Sequence, residues 1–210
     1  MKIIKLVLGA CNTNCYIIAS DTGNCVIVDP ADSAIKFVQV IESNNLKPKY
    51  IFITHGHTDH ILAASDLKNE YQIPVVISKT DAWRLQEEEL INSRPYVKKA
   101  YKKVTPDILV HENDEIWIDE LQFRFYSMSG HTEGSMAIIL DKCIFSGDTL
   151  LKENHGKTSL PGGNEKQLIE SINRLSKLEG DYHIFPGHKE ETTMEYERIH
   201  NPYIKEEDNN

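Results

Sequence analysis

The chain of 210 residues, 40% apolar and 26% charged, has the composition of a folded protein rather than a disordered one. Its formal charge of −9 argues against a nucleic-acid partner, which needs a basic footprint, and no apolar run approaches the roughly 20 residues of a membrane span. Four cysteines, Cys11, Cys15, Cys25 and Cys143, match neither a zinc ribbon nor a redox pair nor a disulfide framework, so a reducing cytoplasm is the expected setting.

The opening MKIIKLVLGA resembles a secretory leader in outline, but Lys5 breaks its apolar run and a first strand is expected instead. CYIIAS (15–20) and NCVIVD (24–29) read as two more strands, joined by a hairpin at Asp21, Gly23 and Asn24. After Asp29-Pro30, the spacing of Ile35, Val38 and Ile41 predicts a helix over 33–43. KYIFIT (49–54) is a buried strand that runs straight into His55.

A helix over 61–71, a strand at 74–78 and a helix over 79–90, capped by Thr80 or Asp81, should follow. Residues 91–113 carry Pro95, Pro106 and the lysine-rich VKKAYKK, and read as an irregular excursion with some helix. Strands resume at EIWID, LQFRFYSM, SMAIIL and CIFSG. The glycine-rich loop HGKTSLPGG (155–163) then leads into a helix over 164–178, with Leu168, Ile172 and Leu175 on one face. YHIFPGH (182–188) is the last strand, and the tail is expected to fray from about 204. No linker divides the chain, so residues 1–210 read as one domain in two strand-then-helix blocks, with the sheets joined through apolar faces and the helices outside.

Within FITHGHTDHI (52–61), His55, His57, Asp59 and His60 are separated only by Gly56 and Thr58. Adjacent residues point in different directions on a helix or a strand, whereas His55 and His57 share a side only in extended chain. A strand-to-helix loop lets two pairs of ligands diverge, which suits two metal ions better than one. Three further strands run into a glycine beside a His or Asp: His131 in SMSGHTEGS, Asp148 in CIFSGDTL and His188 in HIFPGH. Each alone is weak, since Gly-Asp is common turn chemistry and a lone histidine is more often no ligand. Together they point to a metal site. His111, His155, His183 and His200 lack such contexts and read as non-ligands, with the loop of His155 at the border of the site.

The series THGHTDH, GHTEGS, SGDTL and PGH resembles the metallo-β-lactamase superfamily over nearly the whole chain. The resemblance implies an α/β (α+β) fold, a four-layer αββα sandwich with the metal site at one edge. It also implies that His55, His57 and His131 bind a first metal, that Asp59, His60 and His188 bind a second, and that Asp148 bridges them. By the same likeness Asp59 is catalytic, as ligand and proton carrier together. Imidazole and carboxylate ligands without thiolate suit two zinc ions first, with iron or manganese as alternatives.

Within that superfamily, SGDTLLKENHGKTSLPGG and the late NPY (201–203) are similar to the short glyoxalase II-like hydrolases. This implies a hydroxyacylglutathione hydrolase-like enzyme that cleaves a small-molecule thioester with a metal-bound hydroxide. Glu133, Lys157, Ser159 and Lys189 depart from the group's pattern, and no counterpart of the helical domain of full-length glyoxalase II is expected after His188. Lys157 is therefore the candidate substrate contact, joined by Arg94, Lys98, Lys99, Lys102 and Lys103 if the excursion folds over the cleft. The alternatives are a lactonase and a persulfide dioxygenase-like oxidoreductase with one iron on His55, His131 and Asp148. A binding protein with a structural metal is the weakest reading, because such an ion needs only four ligands.

Overall fold

A computed structural model describes residues 1–205. The first sheet joins β1 (Lys2–Leu8), β2 (Thr13–Ala19), β3 (Asn24–Val28), β4 (Lys47–Phe52), β5 (Val75–Ser78) and β6 (Ile108–Val110) in chain order. β1, β2 and β3 are antiparallel neighbours, whereas β3 to β6 pair in parallel. Parallel pairing needs crossovers, and these carry α1 (Ala34–Ser43), α2 (Thr58–Ile61), α3 (Ala64–Tyr71) and α4 (Glu88–Asn92).

The second half supplies β7 (Glu115–Ile118), β8 (Leu121–Ser127), β9 (Met136–Leu140) and β10 (Cys143–Gly147). It continues with the small hairpin β11 (Leu150–Leu151) and β12 (Asn154–His155), then α5 (Glu165–Ser176), β13 (His183–Pro186), β14 (Thr192–Thr193) and α6 (Met194–His200). The second sheet runs in the order β14-β13-β10-β9-β8-β7.

Alternation along the strands builds the layers. On β2 and β3, Tyr16, Ile18, Val26 and Val28 face the other sheet and join Phe52, Phe123, Phe125 and Phe145 in the central core. Their neighbours Cys15, Ile17, Cys25 and Ile27 face the opposite way, toward Phe37 and Ile41 of α1 and Leu67 of α3. A strand buried on both faces is apolar at every position, which is why CYIIA and NCVIV read as unbroken runs. On the far side, Leu168, Ile172 and Leu175 of α5 cover Ala137, Ile139, Ile144 and Ile184. The result is the expected αββα order.

Several local expectations need correction. The helix predicted over 61–71 is split into α2 and α3, and Ala63 at the break donates its N–H to Pro30 O instead of continuing a helical ladder. The helix predicted over 79–90 is a 3-10 turn (Ala82–Gln86) followed by α4, and the side chain of Asp81 makes no cap bond. The excursion contains the edge strand β6, and the segment after His188 contains β14 and α6, none of which was anticipated. The fraying expected from about 204 falls mostly on residues 206–210, outside the described residues, while Ile204 packs against the outer core of the second sheet. Among the described residues no helix is long and apolar enough to cross a membrane.

Candidate metal centre

The loops after β4, β8, β10 and β13 gather at one edge of the sandwich. Gly187 N donates to Gly147 O at 2.8 Å, and Asn14 N donates to Gly187 O at 2.7 Å, so the two sheets are stitched together there. Gly187 leaves no room for a side chain: a Cβ there would sit 2.3 Å from Asp148 Oδ1 and 2.8 Å from His60 Cε1.

Every predicted ligand reaches this edge. Nε2 of His131 lies 2.8 Å from Nδ1 of His57 and 3.2 Å from Nε2 of His55. On the other side, Asp59 Oδ2 lies 3.3 Å from His188 Nε2 and 3.7 Å from His60 Nε2. Asp148 stands between the groups, with Oδ2 3.5 Å from His131 Nε2 and 3.4 Å from His188 Nε2, and Oδ1 3.5 Å from His60 Nε2. Among the described residues three groups of three donors each fall within 4.8 Å: His55–His57–His131, Asp59–His60–His188, and Asp29–His55–His60 behind them.

The hydrogen bonds behind the rings settle which nitrogen faces inward. Asp29 accepts from Thr54 N at 2.7 Å and from Thr54 Oγ1 at 2.6 Å. The Thr54 hydroxyl has then spent its proton, so at 3.1 Å it accepts from His55 Nδ1–H and leaves His55 Nε2 bare. His60 Nδ1–H donates to Asp29 Oδ2 at 2.9 Å, and His131 Nδ1–H donates to Lys157 O at 2.7 Å. His60 Nε2 and Asp148 Oδ1 are buried without a hydrogen-bond partner. Buried polar atoms are seldom left unpaired. The inward-facing His55 Nε2, the partnerless His60 Nε2 and the orphaned Asp148 oxygen are what a divalent cation satisfies, so the donor set fits one.

The electrostatics agree. Burial, followed by the rings of His131 and His60, pushes the His57 imidazole down to about 3. Burial, then His60 and His131, holds His55 well below its ordinary value. Burial opposes a proton on His60 as well, but Asp148, Asp59 and Asp29 outweigh it and raise that group to about 10. Burial pushes the Asp59 carboxyl up, and His60 and His188 more than reverse it, leaving Asp59 below the usual carboxylate range. Burial also lowers His131, against the pull of Asp148, so three imidazoles repel a proton while His60, drawn by the carboxylates around it, holds one.

A cleft of about 740 Å³ opens over this centre, with His57, Asp59 and His188 in its floor and Lys157, Ser159 and Tyr96 among its walls. Lys157 thus borders the cleft over the centre, and its carbonyl orients His131. His155 borders the cleft as well. The lysine cluster of the excursion does not reach it. Lys98 and Lys99 border a separate small pocket with Asp32, and Lys99 pairs with Asp66. Arg94, Lys102 and Lys103 are exposed, and the excursion sends only Tyr96 into the cleft wall. His111, His183 and His200 bond elsewhere, to Asp114, Glu191 and Tyr196 O.

Sequence reasoning missed Asp29, Asp81 and Asn14. Asn14 Nδ2 donates to Pro186 O and Lys189 O, both at 2.9 Å, and so holds the turn that presents His188. The one local sign of Asp29 is its position at the end of an apolar strand, where it adopts a left-handed φ of 49°.

A strand-edge cluster of histidines and aspartates in an αββα sandwich defines a metallo-hydrolase scaffold. The profile of the metallo-beta-lactamase superfamily matches residues 8–188, and the chain belongs to that superfamily. It is 31% identical over 215 residues to the hydroxyacylglutathione hydrolase GloC of Haemophilus influenzae, covering 97% of this chain and 98% of that protein. The crystal structure of the BLEG-1 B3 metallo-beta-lactamase superposes with a TM-score of 0.89 at 28% identity, over 98% of this chain and 100% of that one. The structure of TTHA1623 in a di-iron-bound form matches with a TM-score of 0.85 at 27% identity, over 96% of this chain and 100% of that one.

Proposed function

We propose that this chain acts as one catalytic domain, a glyoxalase II-like thioesterase. In this reading His55, His57 and His131 hold one divalent ion, Asp59, His60 and His188 hold a second, and Asp148 is shared. Zinc is the first choice by ligand chemistry, and the di-iron form of TTHA1623 keeps iron in view. The observation that carries the reading is the placement of this surplus of donors in the floor of an open cleft, where a structural ion would be closed off by four. The full-length likeness to GloC supports a thioester of a small anionic thiol as substrate.

Ions bound here supply Lewis acidity and a water activated near neutral pH. The chain does the rest. The Asp59 carboxylate, partly open to the cleft, receives the proton lost by the attacking water and passes it to the departing thiolate. Water adds across the C–S bond, leaving a carboxylic acid and a free thiol. The Lys157 ammonium holds the anionic carrier in the cleft, and Asp29 and Lys157 O keep the imidazoles of His60 and His131 in line.

The test is a metal count on protein from its native host alongside four parallel assays. These measure hydrolysis of a thioester, a lactone and a β-lactam, and oxygen consumption with a persulfide. Two ions per chain with thioester turnover is the expected result, falling roughly 100-fold or more in His57→Ala and Asp59→Asn. One iron per chain with oxygen consumption would replace this reading with the oxidoreductase.

A further inference from the structure

One carboxylate outside the ligand set reaches both loops that carry the three-histidine group. Asp81 is 0% exposed. Its Oδ2 accepts from Gly56 N and from Thr132 Oγ1, each at 2.8 Å. Its Oδ1 accepts from Gly134 N at 3.1 Å and from Arg84 Nε at 3.2 Å. Gly56 is the residue between His55 and His57, while Thr132 directly follows His131. The two loops are far apart in sequence, and their rings meet at the 2.8 Å approach of His57 Nδ1 to His131 Nε2.

We infer that Asp81 is a positioning residue that fixes the spacing of His57 and His131, and that Arg84 ties this spacing to the loop bearing Lys157. The inference rests on the proposed metal centre. An ionised carboxylate accepts at both oxygens, which is what four converging donors require; an amide would turn an NH2 toward two of them. A helix cap is the bland role for an Asp at this position, but the side chain makes no cap bond. The loops also close on it without slack. A Cβ on Gly134 would come within 2.6 Å of Asp81 N, and one on Gly56 within 2.5 Å of Arg84 Cβ.

Arg84 extends the clamp. Its Nη2 donates to Pro161 O at 3.2 Å and lies 3.7 Å from Glu133 Oε2. With His131 Nδ1–H donating to Lys157 O, the 155–163 loop is attached once to a clamped histidine and once to Arg84 of the clamp. The same buried ion pair therefore orders a metal-facing pair of rings and the wall that meets the substrate.

The experiment follows histidine ring nitrogens by NMR while zinc is added against a competing chelator, using the whole chain and the Asp81→Asn variant. The zinc level at half-saturation of the His57 and His131 signals should rise roughly 10–100-fold, and by more than that of His188. An equal rise at all three, as general loosening would give, or no rise at all, overturns the inference. If Asp81→Asn does not fold, Thr132→Val removes a single bond of the clamp, and the same selectivity for His57 and His131 is required of it. A zinc response without thioester turnover would overturn the proposed substrate and leave the clamp standing. No zinc response in the unaltered protein would overturn both the centre and the clamp.

Discussion

Oδ2 of Asp29 lies 2.9 Å from Nδ1 of His60, with both side chains buried. The same oxygen accepts from Thr54 Oγ1, and that hydroxyl accepts the hydrogen bond of His55 Nδ1–H. One carboxylate thus fixes two imidazoles, one in each candidate ion site, with each Nε2 toward the centre.

Asp29→Ala should therefore cost more than a contact. It leaves Thr54 N, Thr54 Oγ1 and His60 Nδ1 without their acceptor in a dry interior, which is expected to cost about 3–5 kcal/mol. Denaturant titration would measure that loss, and metal analysis of the folded variant should show fewer ions per chain. Full stability with a full metal complement would show that Asp29 aligns neither ring.

The candidate ligands were legible because they stand at or just after the point where an apolar strand runs into a glycine, a local pattern. Asp29 and Asp81 were not, because their partners lie in other loops: Asp29 serves Thr54 and His60, and Asp81 serves Gly56, Thr132 and Gly134. Asp81 even carried a misleading local signal, since an Asp before a helical stretch reads as a cap. The sheets were visible as apolar runs, whereas β6, with three residues at a sheet edge, and α6, with exposed charges around Met194, offered little periodicity. The lysines of the excursion count as substrate contacts only if it folds over the cleft; they take the solvated positions that a charge run ordinarily takes, and Tyr96 is the residue that turns inward.

The metal-free protein should be most stable near pH 6.5. His57 is held down to about 3 by burial and then by His131 and His60. Between pH 6.5 and 3 the unfolded chain therefore binds a proton that the folded chain refuses, and stability falls on acidification. His60, against its own burial, is raised to about 10 by Asp148, Asp59 and Asp29. Between pH 6.5 and 10 the folded chain holds a proton that the unfolded chain has lost, so stability falls again on the alkaline side. Thermal melting in chelator across this range should trace a dome. A stability that climbs steadily from pH 6.5 to 10 would contradict the assigned charge of His60.

Gly187→Ala tests the packing of the centre. Its added methyl would meet Asp148 Oδ1 and His60 Cε1 at distances no real contact shows, so one of those groups must move. The fold should survive with a loss of about 1–3 kcal/mol, as for other overpacked sites. Metal affinity should drop by at least roughly tenfold, since both displaced groups are candidate ligands. Chelator competition would read it, and wild-type affinity would mean that neither group binds an ion.

Lys157→Ala separates substrate contact from chemistry. Lys157 lines the cleft, and its backbone carbonyl, which the substitution keeps, holds His131. Ground-state attraction to an anionic carrier should weaken, raising KM for anionic thioesters roughly 2- to 5-fold, as befits one solvent-screened charge. With the ring of His131 still anchored, kcat should stay close to its original value, and a neutral thioester should show no change in either constant. Rising salt should shrink the difference between the two proteins. An unchanged KM for anionic substrates would remove Lys157 from the binding site. A fall in kcat for neutral and anionic substrates alike would mean that the side chain supports the loop behind His131, not the substrate in front of it.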